Sequence, residues 1–403
     1  MRSKSINVAL ALAGFLIAFV VIEGGFRVYL VTRLGPGILW YGTSLTHKRI
    51  KGMYEREHWA ATADPRALRG EDDERHTVRR HTNAVDGYSK FVPNEQKFTY
   101  DVDTDETIPV RINSHGFRGE DYQIEKPPGV TRIVTLGASS TFGYHDRDDQ
   151  TYPRYLSDNL ARTCDGRTNF EVINLGVPHL TSTETVALFR AEGAPLRPDV
   201  VTFYEGINDS SFNKAKKKAA LREWVASGFR ALRDRFVVFA FVQEYLRSGA
   251  RRFSAAQIER HQRGRSETFL RNLALLRAEC RRAGATLIVA NQQTTSLLVP
   301  REALRGVTYN GEQELVARKL ESEGFVDTKE LNFLTHRILM LDLAAWTSAN
   351  QVPFVDIIAA LDARRDVLVS WVHLNAEGNR LIADELAREI RRRFCSDVAV
   401  VEE

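Results

Sequence analysis

The chain has 403 residues, with 56 Lys+Arg against 52 Asp+Glu and a formal net charge of +4, too small to mark the whole surface as a nucleic-acid binder. Hydrophobic residues make up 43% and charged residues 27%, which is enough apolar chain for a core and excludes global disorder. Three cysteines exclude a disulfide scaffold.

Residues Ile6 to Ile22 carry no charge, and as a helix they rise about 26 Å, close to the hydrocarbon thickness of a bilayer. Ala11-Leu-Ala13 falls inside this stretch, too early for a cleavage site, so residues 1–34 are expected to stay as a single-pass anchor. Arg2 and Lys4 precede the apolar run, while Glu23, Arg27 and Arg33 follow it. The positive-inside bias therefore favours a cytoplasmic amino end and places the rest of the chain outside, in the periplasm or at the cell surface.

Residues 35–128 are rich in charge, Gly and Pro and read as a juxtamembrane segment. Within them, alternation from Phe98 to Val102 and from Ile108 to Ile112, around Asp103-Thr-Asp-Glu106, predicts a β-hairpin. From Thr131 onward the pattern changes. Apolar runs suited to buried parallel strands occur at 132–136, 170–174, 199–204, 285–290 and 352–356, and helical stretches at 151–163, 181–194, 266–283, 328–348 and 376–394 separate or follow them. This alternation predicts an α/β domain over 129–395, three-layered with a parallel five-stranded sheet, and a short tail at 396–403. Lys214 to Arg265 holds 14 basic and 4 acidic residues, a basic insertion at about 210–265. Its stretch 221–247 is expected to be helical, with Phe236 to Val242 buried. Its basic face is either simply solvated or docks on an anionic surface, lipid or glycan.

Four turns carry candidate chemistry. Gly137-Ala-Ser139-Ser-Thr-Phe-Gly143 follows the first strand. Its spacing is wrong for a P-loop, which needs four residues between the glycines and then Lys. It also lacks the Gly two residues after the Ser that an α/β-hydrolase elbow requires. What is left is a small-residue turn that presents a Ser hydroxyl beside backbone N–H groups at a helix start. Asn174-Leu-Gly176 ends the second strand, Gly206-Ile-Asn208-Asp209 ends the third, and Val372-His373-Leu-Asn375 precedes the last helix. Ligands bind at the carboxyl ends of strands in sheets of this kind.

In this order the four turns resemble the SGNH (GDSL-like) hydrolase family, over roughly 131–395. Asn113-Ser-His-Gly-Phe-Arg118 ahead of them, and the anchor before that, look like a membrane-anchored bacterial branch of the family. The resemblance implies Ser139 as nucleophile and His373 as general base. It implies the N–H groups of Ser139 and Gly176 and the Asn208 amide as oxyanion donors. Such a mechanism requires no cofactor. Two positions depart from the family pattern. Ala138 stands where many relatives carry Asp, and Ser370 stands at the position that usually holds the triad acid. Asp366 and Asp356 are the acids that could take its place.

Ten histidines include no His-x-x-x-His pair, and Cys164, Cys280 and Cys395 lie far apart, so neither a metal nor nucleic acid is expected. Gly143 to Asp149 reads as a solvated loop or as part of the substrate cleft. The expected function is a serine esterase that hydrolyses or transfers short acyl esters, O-acetyl groups among them, on an envelope glycan or lipid. The alternative, motivated by Ser370, is a catalytically weak or inactive glycan-binding or scaffold subunit of an envelope polysaccharide system.

Overall fold

The computed structural model describes residues 2–34, 87–100, 107–162, 169–210, 236–248, 252–296 and 304–395. They fall into two units, one drawn from Met1–Arg69 and Asn213–Arg251, the other from Gly70–Phe212 and Arg252–Glu403.

In the first unit, α1 (Arg2–Leu34) contains a stretch, Ala13–Thr32, long and apolar enough to cross a membrane. Its partner, numbered α6 in chain order, is the helix Val237–Ser248. Of the predicted helical stretch 221–247, residues 221–235 lie outside the described residues. The expectation that Phe236 to Val242 would all be buried needs correction. Val237, Ala240 and Phe241 are buried, whereas Val242 is 41% exposed, because the 3.6-residue period turns it to the opposite face.

The second unit begins with an antiparallel pair, β1 (Gln96–Tyr100) and β2 (Thr107–Arg111); the turn between them lies outside the described residues. The main sheet holds β3 (Val130–Gly137), β4 (Asn169–Asn174), β5 (Val200–Tyr204), β6 (Thr286–Ala290) and β7 (Phe354–Val355). All neighbours are parallel, in the order β4-β3-β5-β6-β7. Between the strands run α2 (Ser139–Phe142), α3 (Tyr152–Ala161), α4 (Ser182–Leu188) and α5 (Ile207–Ser210). After α6 of the first unit come α7 (Ala255–Arg282), α8 (Tyr309–Glu323), α9 (Thr328–Ala349), α10 (Ile357–Leu361) and α11 (Ala376–Phe394).

Side chains alternate across the strands, as the two-residue period demands. Val134, Leu136, Val201, Phe203 and Val289 join one core with residues of α4, α7 and α9. Ile133, Val200, Tyr204, Ile288 and Ala290 join a second core with residues of α3, α10 and α11. The sheet is therefore covered on both faces, as predicted from its nearly continuous apolar runs. Tyr88, Phe91, Val110 and Phe117 belong to the first of these cores, so this part of 35–128 packs as an integral piece of the α/β unit. Helix α8 was not among the predicted elements, although its signals are present in the sequence. Thr308 caps it by accepting from Gly311 N, and Gly324, at φ +77°, ends it. Cys280 is buried and free, while Cys395 is disulfide-bonded.

Candidate active site

The strand order reverses around β3: the chain passes from β3 outward to β4, then returns to β5 on the other side. The crevice beyond the carboxyl ends of β3 and β5 is the switch point where such sheets bind ligands. Ser139 follows β3 and Asn208 follows β5, so topology alone brings two distant turns to one edge.

Ser139 opens the single turn of α2. The strand-to-helix turn is tight because small residues allow it. A Cβ at Gly137 would lie 2.2 Å from Thr141 Oγ1 and 2.4 Å from Tyr204 O. Gly143 closes the turn in the left-handed region at φ +81°, where glycine alone carries no steric cost. The carbonyls at this end would be orphaned by the short helix, and Arg118 takes them up. Its buried guanidinium donates to Phe142 O, Gly143 O and Asp146 O, and to Asp148 Oδ1 at 2.9 Å. Ser140 donates to Val372 O at 3.0 Å and accepts from Gln292 Nε2 at 3.2 Å. Gln292 Oε1 in turn accepts from Ile207 N at 2.9 Å. One amide side chain thus couples the Ser139 turn to the turn after β5.

His373 arrives on a narrow loop before α11. The loop is closed by Val369 N donating to His373 O at 2.8 Å and Asn375 N donating to Val367 O at 2.9 Å. The imidazole Nε2 lies 2.8 Å from Ser139 Oγ, and its Nδ1 lies 2.6 Å from Ser370 Oγ. Tyr144 and His145 face the ring, with centroids 5.3 and 5.1 Å away. Burial, with the neighbouring His145 and His179, holds the pKa of His373 well below the usual histidine value, so the ring is neutral and able to accept a proton at neutral pH.

The other expected residues are placed less simply. Asp356 and Asp366 both have other partners. Asp356 Oδ1 caps α10 through Ala359 N and accepts from Asn291 Nδ2, and Asp366 pairs with Arg364 at 3.2 Å. The hydroxyl of Ser370, not either carboxylate, occupies the imidazole's second nitrogen. Gly176 sits directly under α2. Its N–H donates to Asn174 Oδ1 at 2.9 Å, and a Cβ there would lie 2.4 Å from Phe142 N. Glycine is needed at 176 for this close packing. Asn208 Nδ2 donates to Leu180 O at 2.8 Å, and its side chain also hydrogen-bonds Glu205. Burial raises the carboxyl of its neighbour Asp209 to about 6 and that of Glu205 well above the usual range.

Sequence reasoning missed the supports of the site. Arg118 was visible only as part of a family-like stretch, and Gln292 carried no motif at all. His145 is buried in a loop read as solvated or cleft-lining, with φ +79°; His179 has φ +69°. Such left-handed non-glycine residues cluster at functional sites, but φ cannot be read from a sequence. Among the described residues no three His, Cys, Asp or Glu side chains come together as a metal site.

No curated protein matches the chain. Solved structures similar to it include an aryl esterase from M. smegmatis, at 16% identity and TM-score 0.38, covering 65% of this chain and 99% of that one. A lipase/acylhydrolase from Enterococcus faecalis is similar at 17% identity and TM-score 0.38, covering 66% and 97%. A carbohydrate acetylesterase from Sinorhizobium meliloti is similar at 12% identity and TM-score 0.39, covering 65% and 99%. The family match is independent of these and spans residues 135–381, from within β3 to within α11. It takes in Ser139, Asn208, Ser370 and His373, and on it the chain belongs to the GDSL-like lipase/acylhydrolase family.

Proposed function

We propose that this ester hydrolase removes short acyl groups, O-acetyl among them, from an envelope glycan or lipid, using Ser139 as nucleophile and His373 as base. The observation that carries the reading is the chain of contacts from Ser139 Oγ to His373 Nε2 at 2.8 Å and from His373 Nδ1 to Ser370 Oγ at 2.6 Å. A serine hydroxyl is a weak nucleophile until a base takes its proton. In the proposed reaction His373 Nε2 takes that proton as Ser139 Oγ bonds to the ester carbon. The N–H groups of Ser139 and Gly176 and the Asn208 amide are the proposed donors to the oxyanion. The alkoxy group then leaves with the proton from His373. Water attacks the acyl-serine by the same route and releases the acid; an acceptor hydroxyl in place of water would make the step a transfer.

Ser370 Oγ accepts the Nδ1 hydrogen of His373 and so selects the tautomer whose Nε2 is free to act as base. A hydroxyl brings no negative charge to the imidazolium that forms. The enzyme is therefore expected to be slower on unactivated esters than one with a carboxylate at this position. The apolar stretch Ala13–Thr32 supports a membrane anchor, and the disulfide at Cys395 supports an oxidising compartment for the catalytic unit. Fluorophosphonate labelling tests the reading. Stoichiometric modification of Ser139 in the full chain, lost in Ser139→Ala, is expected. An unlabelled wild-type protein would favour the glycan-binding alternative.

A further inference from the structure

We infer that the anchor is a pair of membrane-embedded elements, in which the start of α6 enters the outer leaflet beside α1 and is capped there by Glu23. This rests on the reading of α1 as a membrane anchor. Glu23 lies within the apolar stretch Ala13–Thr32, where an ionisable group is costly unless it is paired. Its two carboxylate oxygens accept from Val237 N and Val238 N, each at 2.9 Å. These are N–H groups of the first turn of α6 that have no acceptor within their own helix. Arg27 Nε adds a third contact to Glu23 at 2.9 Å. In a bilayer no water is available to satisfy such groups, so the carboxylate and the helix start each solve the other's problem, and the helix dipole favours the pairing.

Apolar packing surrounds the cap. Phe19 meets Phe236 and Phe239 at centroid distances of 5.0 and 6.0 Å. Further along, Phe241 meets Phe26 at 4.6 Å and Tyr29 at 5.9 Å. Later residues of α6 thus meet later residues of α1, so the two helices run in the same sense. Leu30, Val237, Ala240 and Phe241 form the buried seam. The outer faces are apolar and open: Val20 is 61% exposed, Val28 66% and Val242 41%. The occupant that fits such faces around a partly buried ion pair is lipid hydrocarbon. Twelve residues of α6 rise only about 18 Å, too short to span a bilayer, so α6 enters one leaflet.

Nitroxide labels on single introduced cysteines, in the full chain reconstituted in liposomes, test this by comparing collisions with oxygen and with a water-soluble nickel complex. Val20→Cys, Val242→Cys and, on exposed α8, Leu315→Cys serve as sites. Labels at 20 and 242 are expected to be open to oxygen and shielded from nickel, with 315 the reverse. In Glu23→Ala the label at 242 is expected to become accessible to nickel while that at 20 does not change. Nickel access at 242 with shielding at 20 in the otherwise unaltered chain would overturn the inference and leave the anchor intact. An unchanged label at 242 in Glu23→Ala would overturn the cap. Nickel access at 20 would overturn the anchor itself.

Discussion

The Ser139 turn and the His373 loop meet at the same sheet edge but are held there by different means. Ser139 is placed by backbone packing. Gly137 and Gly176 admit contacts that a Cβ would block, Arg118 gathers the carbonyls behind the turn, and Gln292 links it to the turn after β5. His373 sits on a narrow loop whose backbone bonds close it, but the aim of its ring depends on one hydroxyl, Ser370, and on the faces of Tyr144 and His145. Ser139 is thus over-determined by the fold, and His373 is aimed by a few side chains. Damage to the first should appear in stability as well as rate, and damage to the second in rate and pH profile alone.

Five substitutions test that contrast. The largest effect is expected from His373→Ala, which should lower kcat/KM on a p-nitrophenyl ester by at least about 10³-fold with an unchanged melting curve; wild-type rates on activated and unactivated esters would remove His373 as the base. Arg118→Ala should reduce unfolding free energy by about 3 kcal/mol, since it removes a buried donor shared by three carbonyls and the ion-pair partner of Asp148. Denaturant unfolding measures this, and a change within ~0.5 kcal/mol would mean that the turn does not depend on its brace.

Ser370→Ala should cost roughly tenfold in kcat, the worth of one neutral hydrogen bond, and leave stability almost unchanged. Ser370→Asp should instead raise the pKa of His373 by adding a negative charge. If Ser370→Ala is as damaging as His373→Ala, the hydroxyl does more than fix a tautomer. The smallest effect concerns His145. Because His373 is held below the usual histidine pKa, the acid limb of kcat/KM should lie below about pH 6.5. His145 beside the ring lowers the His373 pKa electrostatically, so in His145→Phe the pKa of His373 should rise and the limb should move to higher pH. An unmoved limb would show that burial alone sets it.

The architecture was legible because it is written in periodicities. Buried parallel strands require apolar runs, and their order along the chain, separated by helices, predicts the covered parallel sheet. The four turns were legible because each lies next to a strand or helix end in the sequence. What the sequence could not determine was which partners those turns meet. Asp356 and Asp366 were chemically suitable acids, but Asn291, Ala359 and Arg364 hold them, and a hydroxyl three residues from His373 takes their place. That the Gly176 amide meets Asn174 Oδ1 and that its missing Cβ makes room for Phe142 N was likewise not visible in the sequence. Glu23 looked like a flanking charge and became the cap of a helix 214 positions away in the chain. A hydrogen-bonding group's capacity is fixed by its residue type, whereas its occupancy depends on every neighbour the fold delivers, and most of those neighbours are distant in sequence.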